Sequence, residues 1–164
     1  MQTVSAGKDL HFCLDRQFTS AEQCTEIWRL LGCDYQWLQI SPGPLNGRIR
    51  VERQQGMILV SIQADQALLV QGARNPDWVP FTIEHTDNIA EHRHFGEALS
   101  PRTLGGFNTR LDQTLLRTSP GGSQIGALLL ARRRIEQMAA LDPFGRLQDH
   151  LDGSNTAVRS DASH

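Results

Sequence analysis

Apolar and polar residues alternate with a period of two over much of the chain. The pattern predicts strands near residues 35–40, 47–53, 57–63, 66–71, 79–84 and 107–117. In the segment RIRVER, Ile49 and Val51 point to one face and the charged residues between them point to the other. This alternation is typical of an antiparallel sheet with one face in water. Several short strands at this spacing predict a mainly β fold of the jelly-roll barrel or sandwich kind.

A helix is predicted before the first of these strands, in TSAEQCTEIWRLLG. Thr19 and Glu22 have the spacing of a capping box, and Gly32 can adopt the left-handed conformation that ends a helix. The apolar positions at i, i+3, i+4 and i+7 are Cys24, Ile27, Trp28 and Leu31. This stripe should pack on the sheet.

The segment after the turn SPGG allows two interpretations. It is either one helix over 124–141, or a buried strand from Ile125 to Leu130 followed by a short helix from Arg132 to Leu141. We prefer the strand and helix, because Gly126 weakens a helix. Three regions are therefore predicted: an N-terminal arm over 1–18, one domain over 19–142, and a polar, disordered tail over 143–164.

A proline-rich turn interrupts the pattern in WLQISPGPLNGRI. Pro42 and Pro44 lack backbone N–H donors and restrict φ on both sides of Gly43, so the strand before them cannot continue. The stretch is predicted to be a corner between two antiparallel strands.

Composition narrows the class of protein. A chain of 164 residues with 39% apolar and 21% charged residues fits one domain with a core. No apolar run reaches the roughly 18 residues of a membrane helix, and no secretory signal is recognisable, so we expect a cytoplasmic protein without membrane contact. The three cysteines lack disulfide or zinc spacing, and Cys24 is expected in the core. The net charge of −2 does not favour nucleic-acid binding, and the only run of basic residues is the three arginines at 132–134.

Candidate chemistry is sparse. His92 and His94 form a His-x-His pair that points two imidazoles to one side of a strand, and Glu97 is a possible third metal ligand. The alternative is a solvated loop with two surface histidines. Glu84 and His85 resemble a base with an orienting acid, but adjacent strand residues point to opposite faces. We expect no cofactor.

The order of these elements resembles the cupin-like N-terminal domain of bacterial AraC-type transcriptional regulators. The first landmark of that family is a Gln, an apolar residue and a Gly that precede a second Gly, and it is matched by Gln39, Ile40, Gly43 and Gly47. The second is a Gln-Gly followed by a Pro and a Phe-centred strand, matched by Gln71, Gly72, Pro76 and Phe81. The third is a Ser-Pro-Gly turn before the last strand, matched by Ser119, Pro120 and Gly121. The resemblance covers residues 18–142 and implies a small β-barrel or sandwich that senses a ligand or mediates pairing.

The resemblance also implies a C-terminal helix-turn-helix domain, but only a polar segment follows Leu141. Direct DNA binding is therefore not expected from this chain alone.

The leading hypothesis is a non-enzymatic regulatory module that binds a small effector, forms a homodimer or pairs with a larger regulator. The candidate pocket residues are Trp37, Ile49, Val51, Leu59 and Phe81. The same residues also fit an ordinary core. Two alternatives remain open: a metal-dependent cupin enzyme that uses His92, His94 and Glu97, and a scaffold protein that pairs with a larger regulator.

Overall fold

A computed structural model describes residues 12–86, 91–99 and 103–158. Its strands are β1 (Phe12–Phe18), β2 (Asp34–Gln39), β3 (Gly47–Gln54), β4 (Met57–Ala64), β5 (Leu68–Ala73), β6 (Trp78–Glu84), β7 (Arg93–His94), β8 (Glu97–Ala98), β9 (Thr103–Gly105), β10 (Gln113–Arg117), β11 (Ser123–Ala131) and β12 (Thr156–Val158). Its helices are α1 (Ala21–Leu30), α2 (Arg132–Ala140) and α3 (Arg146–Gly153). The prediction of a mainly β fold is confirmed.

The strands form two antiparallel sheets. The seven-stranded sheet has the order β1-β3-β4-β11-β6-β9-β12, and the five-stranded sheet has the order β2-β5-β10-β7-β8. Buried side chains from both sheets and from α1 join in one apolar cluster. The inner faces of the sheets therefore share the main core.

Helix α1 buries the apolar stripe that its sequence predicts. Cys24, Ile27 and Trp28 are buried, and Trp28 stacks on Trp37 of β2 with ring centroids 6.3 Å apart. The helix begins one residue later than predicted, because the side chain of Gln23 accepts a hydrogen bond from the backbone N–H of Ser20. The helix thus closes part of the core beside the five-stranded sheet.

Most predicted strands are present, with small shifts at their ends. The strand predicted over 107–117 is the main exception, since only Gln113–Arg117 is a strand there. Asn108 instead forms a local turn, in which its side-chain oxygen accepts a hydrogen bond from the N–H of Arg110 at 2.9 Å. The interpretation of 124–141 as a strand followed by a helix is confirmed by β11 and α2.

The segment from Ile40 to Asn46 crosses from one sheet to the other. The predicted turn is present, but the two strands are not an antiparallel pair, because β2 belongs to the five-stranded sheet and β3 to the seven-stranded sheet. The side-chain amide of Gln39 donates to the backbone oxygens of Ser41 and Gly43, both at 2.7 Å. These bonds hold the proline-rich turn and give Gln39 a structural role.

Both ends of the described chain are more ordered than the sequence suggests. Residues 12–18, predicted to lie in an arm, form an edge strand paired with β3. Residues 146–158, predicted to lie in a disordered tail, include α3 and β12. The carboxylate of Asp142 accepts hydrogen bonds from the N–H groups of Phe144 and Leu147, which fixes the start of α3.

None of the helices in the described ranges is both long enough and apolar enough to cross a membrane.

Candidate functional site

Strands β4, β11 and β6 carry apolar side chains on both faces. The inner side chains of β4 and β11 join the main core, and Trp78 of β6 packs against it. On the outer face, Leu59, Leu128 and Phe81 form one row, because Leu128 pairs with Leu59 on one side and with Phe81 on the other. A sheet face that carries this much hydrocarbon is usually covered by another layer.

Helices α2 and α3 provide part of that cover. Ile135 of α2 and Leu151 of α3 are buried with Val79 and Phe107 in a second apolar cluster. Phe107 also stacks on Phe81, with ring centroids 5.8 Å apart. This cluster anchors both helices at one margin of the outer face.

An apolar groove of about 640 Å³ lies between these helices and the sheet, and we call it the outer groove. The sheet contributes Leu59, Phe81, Ile83, Leu104, Leu128 and Leu130, and the helices contribute Ile135, Met138, Leu147 and Leu151. Polar side chains enter its lining from β3 and β4, namely Arg50, Glu52 and Ser61. The groove therefore has hydrocarbon walls and polar groups at one rim.

The space between the two sheets is mostly filled. Trp28, Tyr35 and Trp37 pack there, and the ring centroids of Trp28 and Tyr35 are 5.1 Å apart. The cavity that remains beside them measures about 50 Å³. Such a volume holds only a few water molecules, whereas sites for drug-sized ligands measure about 300–1,000 Å³. The outer groove has the size of a ligand site, and it is more apolar than two larger grooves of about 850 and 1060 Å³ elsewhere on the described surface.

The structure does not bring the five candidate pocket residues together. Trp37 borders the small inner cavity, and Ile49 and Val51 are fully buried on the inner face of the seven-stranded sheet. Leu59 and Phe81 lie on the opposite face of that sheet, in the outer groove. The separation follows from the alternation of side chains along a strand, which assigns neighbouring positions to opposite faces.

The three candidate metal ligands also have different surroundings. His92 and His94 are buried, whereas Glu97 is exposed, although it pairs with His94 across the β7–β8 hairpin. In ranges 12–86, 91–99 and 103–158, no group of three or more His, Cys, Asp or Glu side chains could hold a metal ion. The observed placement therefore supplies no ligand set for the metal hypothesis.

His92 has a buried partner that the sequence reasoning missed. Its Nδ1 lies 3.4 Å from Oε2 of Glu84, and both side chains are almost fully buried. The other oxygen of Glu84 accepts hydrogen bonds from the Thr86 hydroxyl at 2.7 Å and the Gln124 N–H at 2.9 Å. Glu84 thus connects β6 to the loop after it and to β11. We assign it a structural role.

Burial determines the charge state of both histidines. Desolvation lowers the pKa of His94 from 6.5 to about 4, and the positive charge of Arg74 acts in the same direction, as does His92 when it is protonated. Desolvation also lowers the pKa of His92, partly opposed by the carboxylate of Glu84. Both imidazoles are therefore neutral at pH 7.

The basic run on α2 is partly used within the fold. The Arg132 side chain donates from Nε to the backbone oxygen of Pro76 at 2.6 Å, whereas Arg133 and Arg134 are exposed. Two exposed arginines alone form a weak nucleic-acid footprint.

Fold and groove together define the chain as a mainly β protein that has an apolar groove between a sheet and its C-terminal helices. Comparison with protein-family models, with curated proteins and with solved structures gives no match to this chain.

Proposed function

We propose that this protein is a non-enzymatic regulatory module that binds a small apolar effector in the outer groove. In this proposal the two sheets form a cupin-like jelly roll, related to the effector and dimerisation domain of AraC-type transcriptional regulators. The observation that carries the proposal is the outer groove itself, with its volume of about 640 Å³ and its hydrocarbon walls.

The chemistry of the groove supports a ligand site over an accidental packing defect. Ligand pockets are typically lined by apolar side chains with a few polar groups that set orientation. Here the polar groups are confined to the β3 and β4 side. Leu59 remains 41% exposed and Met138 remains 54% exposed, so both have apolar surface that a ligand would remove from water.

The position of the groove supports a regulatory role. A ligand there would contact the sheet through Leu128 and the C-terminal helices through Met138 and Leu147. Its binding would favour the arrangement in which α2 and α3 are packed on the sheet. A ligand with different affinities for two helix arrangements shifts the equilibrium between them, which is the physical basis of an effector response.

A fluorescent apolar probe, N-phenyl-1-naphthylamine, tests this proposal. We expect Leu59→Gln to weaken probe binding about fivefold or more, because burial of a leucine surface contributes about 1–2 kcal/mol. The matched control is Leu115→Gln, since Leu115 is 38% exposed but lies on the five-stranded sheet, outside the groove. Fluorescence titration of the three proteins gives the affinities.

Two results would contradict the proposal. One is the absence of saturable probe binding to the parent protein. The other is an equal loss of affinity in both variants, since this would mean that the probe binds exposed leucines without using the groove.

A further inference from the structure

The polar rim of the outer groove includes an arginine whose charge adds to the hydrogen bond from Arg48 in lowering the pKa of Asp15 across the β1–β3 pair, but for which the described residues provide no ion-pair contact. Arg50 is exposed on the outer side of β3 and lines the groove. The neighbouring Arg48 forms a bidentate interaction with Asp15, with both N–O distances at 2.7 Å. Arg50 makes no such interaction within the part of the chain that the structure describes. Its guanidinium therefore remains available to a ligand.

The nearby carboxylates are engaged by other groups. Asp15, which faces Arg50 across the β1–β3 pair, is held by Arg48. Glu52, two residues further along the rim, accepts a hydrogen bond from the side-chain amide of Gln54 at 2.9 Å. Arg50 is consequently the rim group best placed to recognise an anionic oxygen, because guanidinium groups bind carboxylates through paired hydrogen bonds.

The apolar walls of the outer groove determine the chemistry of the rest of the ligand. The apolar lining includes Leu59, Leu128, Met138 and Leu147. In the register of the sheet, Arg50 pairs with Ser61, and the neighbouring Glu52 pairs with Leu59. A ligand that fills this space needs a hydrocarbon part several carbons long.

We propose that the effector is an anionic amphiphile, with its carboxylate on Arg50 and its hydrocarbon chain in the outer groove. This inference rests on the proposed function, since it names the ligand class of the same site. The carboxylate fixes the orientation of the ligand, and the chain supplies most of the affinity. Each methylene group added within the length of the groove should strengthen binding about fourfold.

The test compares decanoate with decan-1-ol, measured at pH 8 by displacement of N-phenyl-1-naphthylamine. We expect Arg50→Gln to weaken decanoate binding about fivefold and to leave decan-1-ol binding unchanged, because an ion pair at a solvated rim contributes up to about 1 kcal/mol. Arg50→Lys should retain part of the decanoate affinity that Arg50→Gln loses. Arg29→Gln, which removes an exposed charge from α1, is the matched control and should change neither affinity.

The outcomes separate this inference from the proposed function. Equal binding of acid and alcohol, with no effect of Arg50→Gln, overturns the carboxylate assignment and leaves the groove as a site for neutral apolar ligands. Probe binding that neither compound displaces also overturns the amphiphile assignment. If the probe itself does not bind, both proposals fail.

Discussion

Gly72→Ala should destabilise the protein by about 3 kcal/mol or more, the size of effect that backbone strain combined with a steric clash produces. Gly72 has a φ of +138°, and a Cβ atom added there would lie 2.0 Å from the backbone oxygen of Asp34. The clash involves backbone in the paired strand β2, so no side-chain rotation relieves it. Strands β2 and β5 would have to separate locally.

The matched control for Gly72→Ala is Gly96→Ala. Gly96 also has a positive φ, of +80°, but an added Cβ meets nothing within 4 Å. Its substitution should therefore cost only about 1 kcal/mol, from backbone strain alone. Urea denaturation gives the free energy of unfolding of both variants. Equal losses would show that strands β2 and β5 are not as close at Gly72 as described.

The second large expected effect is a loss of stability at acidic pH. We expect the free energy of unfolding to fall as the pH decreases from about 6.5 to 4, with a contribution of about 3 kcal/mol from His94. The unfolded chain, with a histidine pKa near 6.5, binds a proton in this range, whereas the folded protein, with a His94 pKa of about 4, does not. The stability supplied by neutral His94 is present above pH 6.5 and lost towards pH 4.

Substitution isolates this contribution. His94→Asn should make the pH dependence between 6.5 and 4 shallower while the contribution of His92 remains, whatever the effect of the substitution on absolute stability. His85→Asn, which removes an exposed histidine near the end of β6, should retain the parent's slope. Urea denaturation at a series of pH values provides the slopes. If His94→Asn does not fold, an NMR titration of the His94 ring in the parent protein tests the prediction instead. An apparent pKa near 6.5 would contradict it.

The sequence predicts the regular part of the fold because burial alternates along the strands. Ile49 and Val51 are buried where the pattern expects them, and Arg48 and Arg50 are exposed. The buried apolar stripe of α1 likewise follows from the spacing of its residues along the sequence. The pattern does not determine which strands become neighbours: it predicts a corner between two antiparallel strands after β2, whereas this segment connects strands of two different sheets. Pairing depends on contacts between residues distant in sequence.

The outer groove did leave a signal in the sequence. The run ALLLA in β11 is apolar at consecutive positions, and a strand of this kind has both faces covered. The cover comes from Ile135 and from Leu151, but Leu151 belongs to a segment whose composition indicates a disordered tail. Leu147 and Leu151, four residues apart, were the available sign of an amphipathic helix.

The partner of His92 illustrates a different limit. Sequence reasoning compared Glu84 with its neighbour His85, which points to the opposite face. The actual contact is with His92, which precedes β7 in the other sheet. These two groups meet only because one sheet packs on the other, and the spacing of residues along the sequence does not indicate that contact.

The most direct test of the central claim is to locate a bound apolar ligand by NMR. The protein can be labelled with ¹³C at its methionine methyl groups and titrated with N-phenyl-1-naphthylamine. Met138 lines the outer groove, whereas Met57 lies at the β3–β4 turn and does not. We predict a saturable shift of the Met138 methyl and nuclear Overhauser effects from that methyl to the naphthyl ring, with Met57 unchanged. A Met138 methyl that remains unchanged at saturating probe would contradict the account.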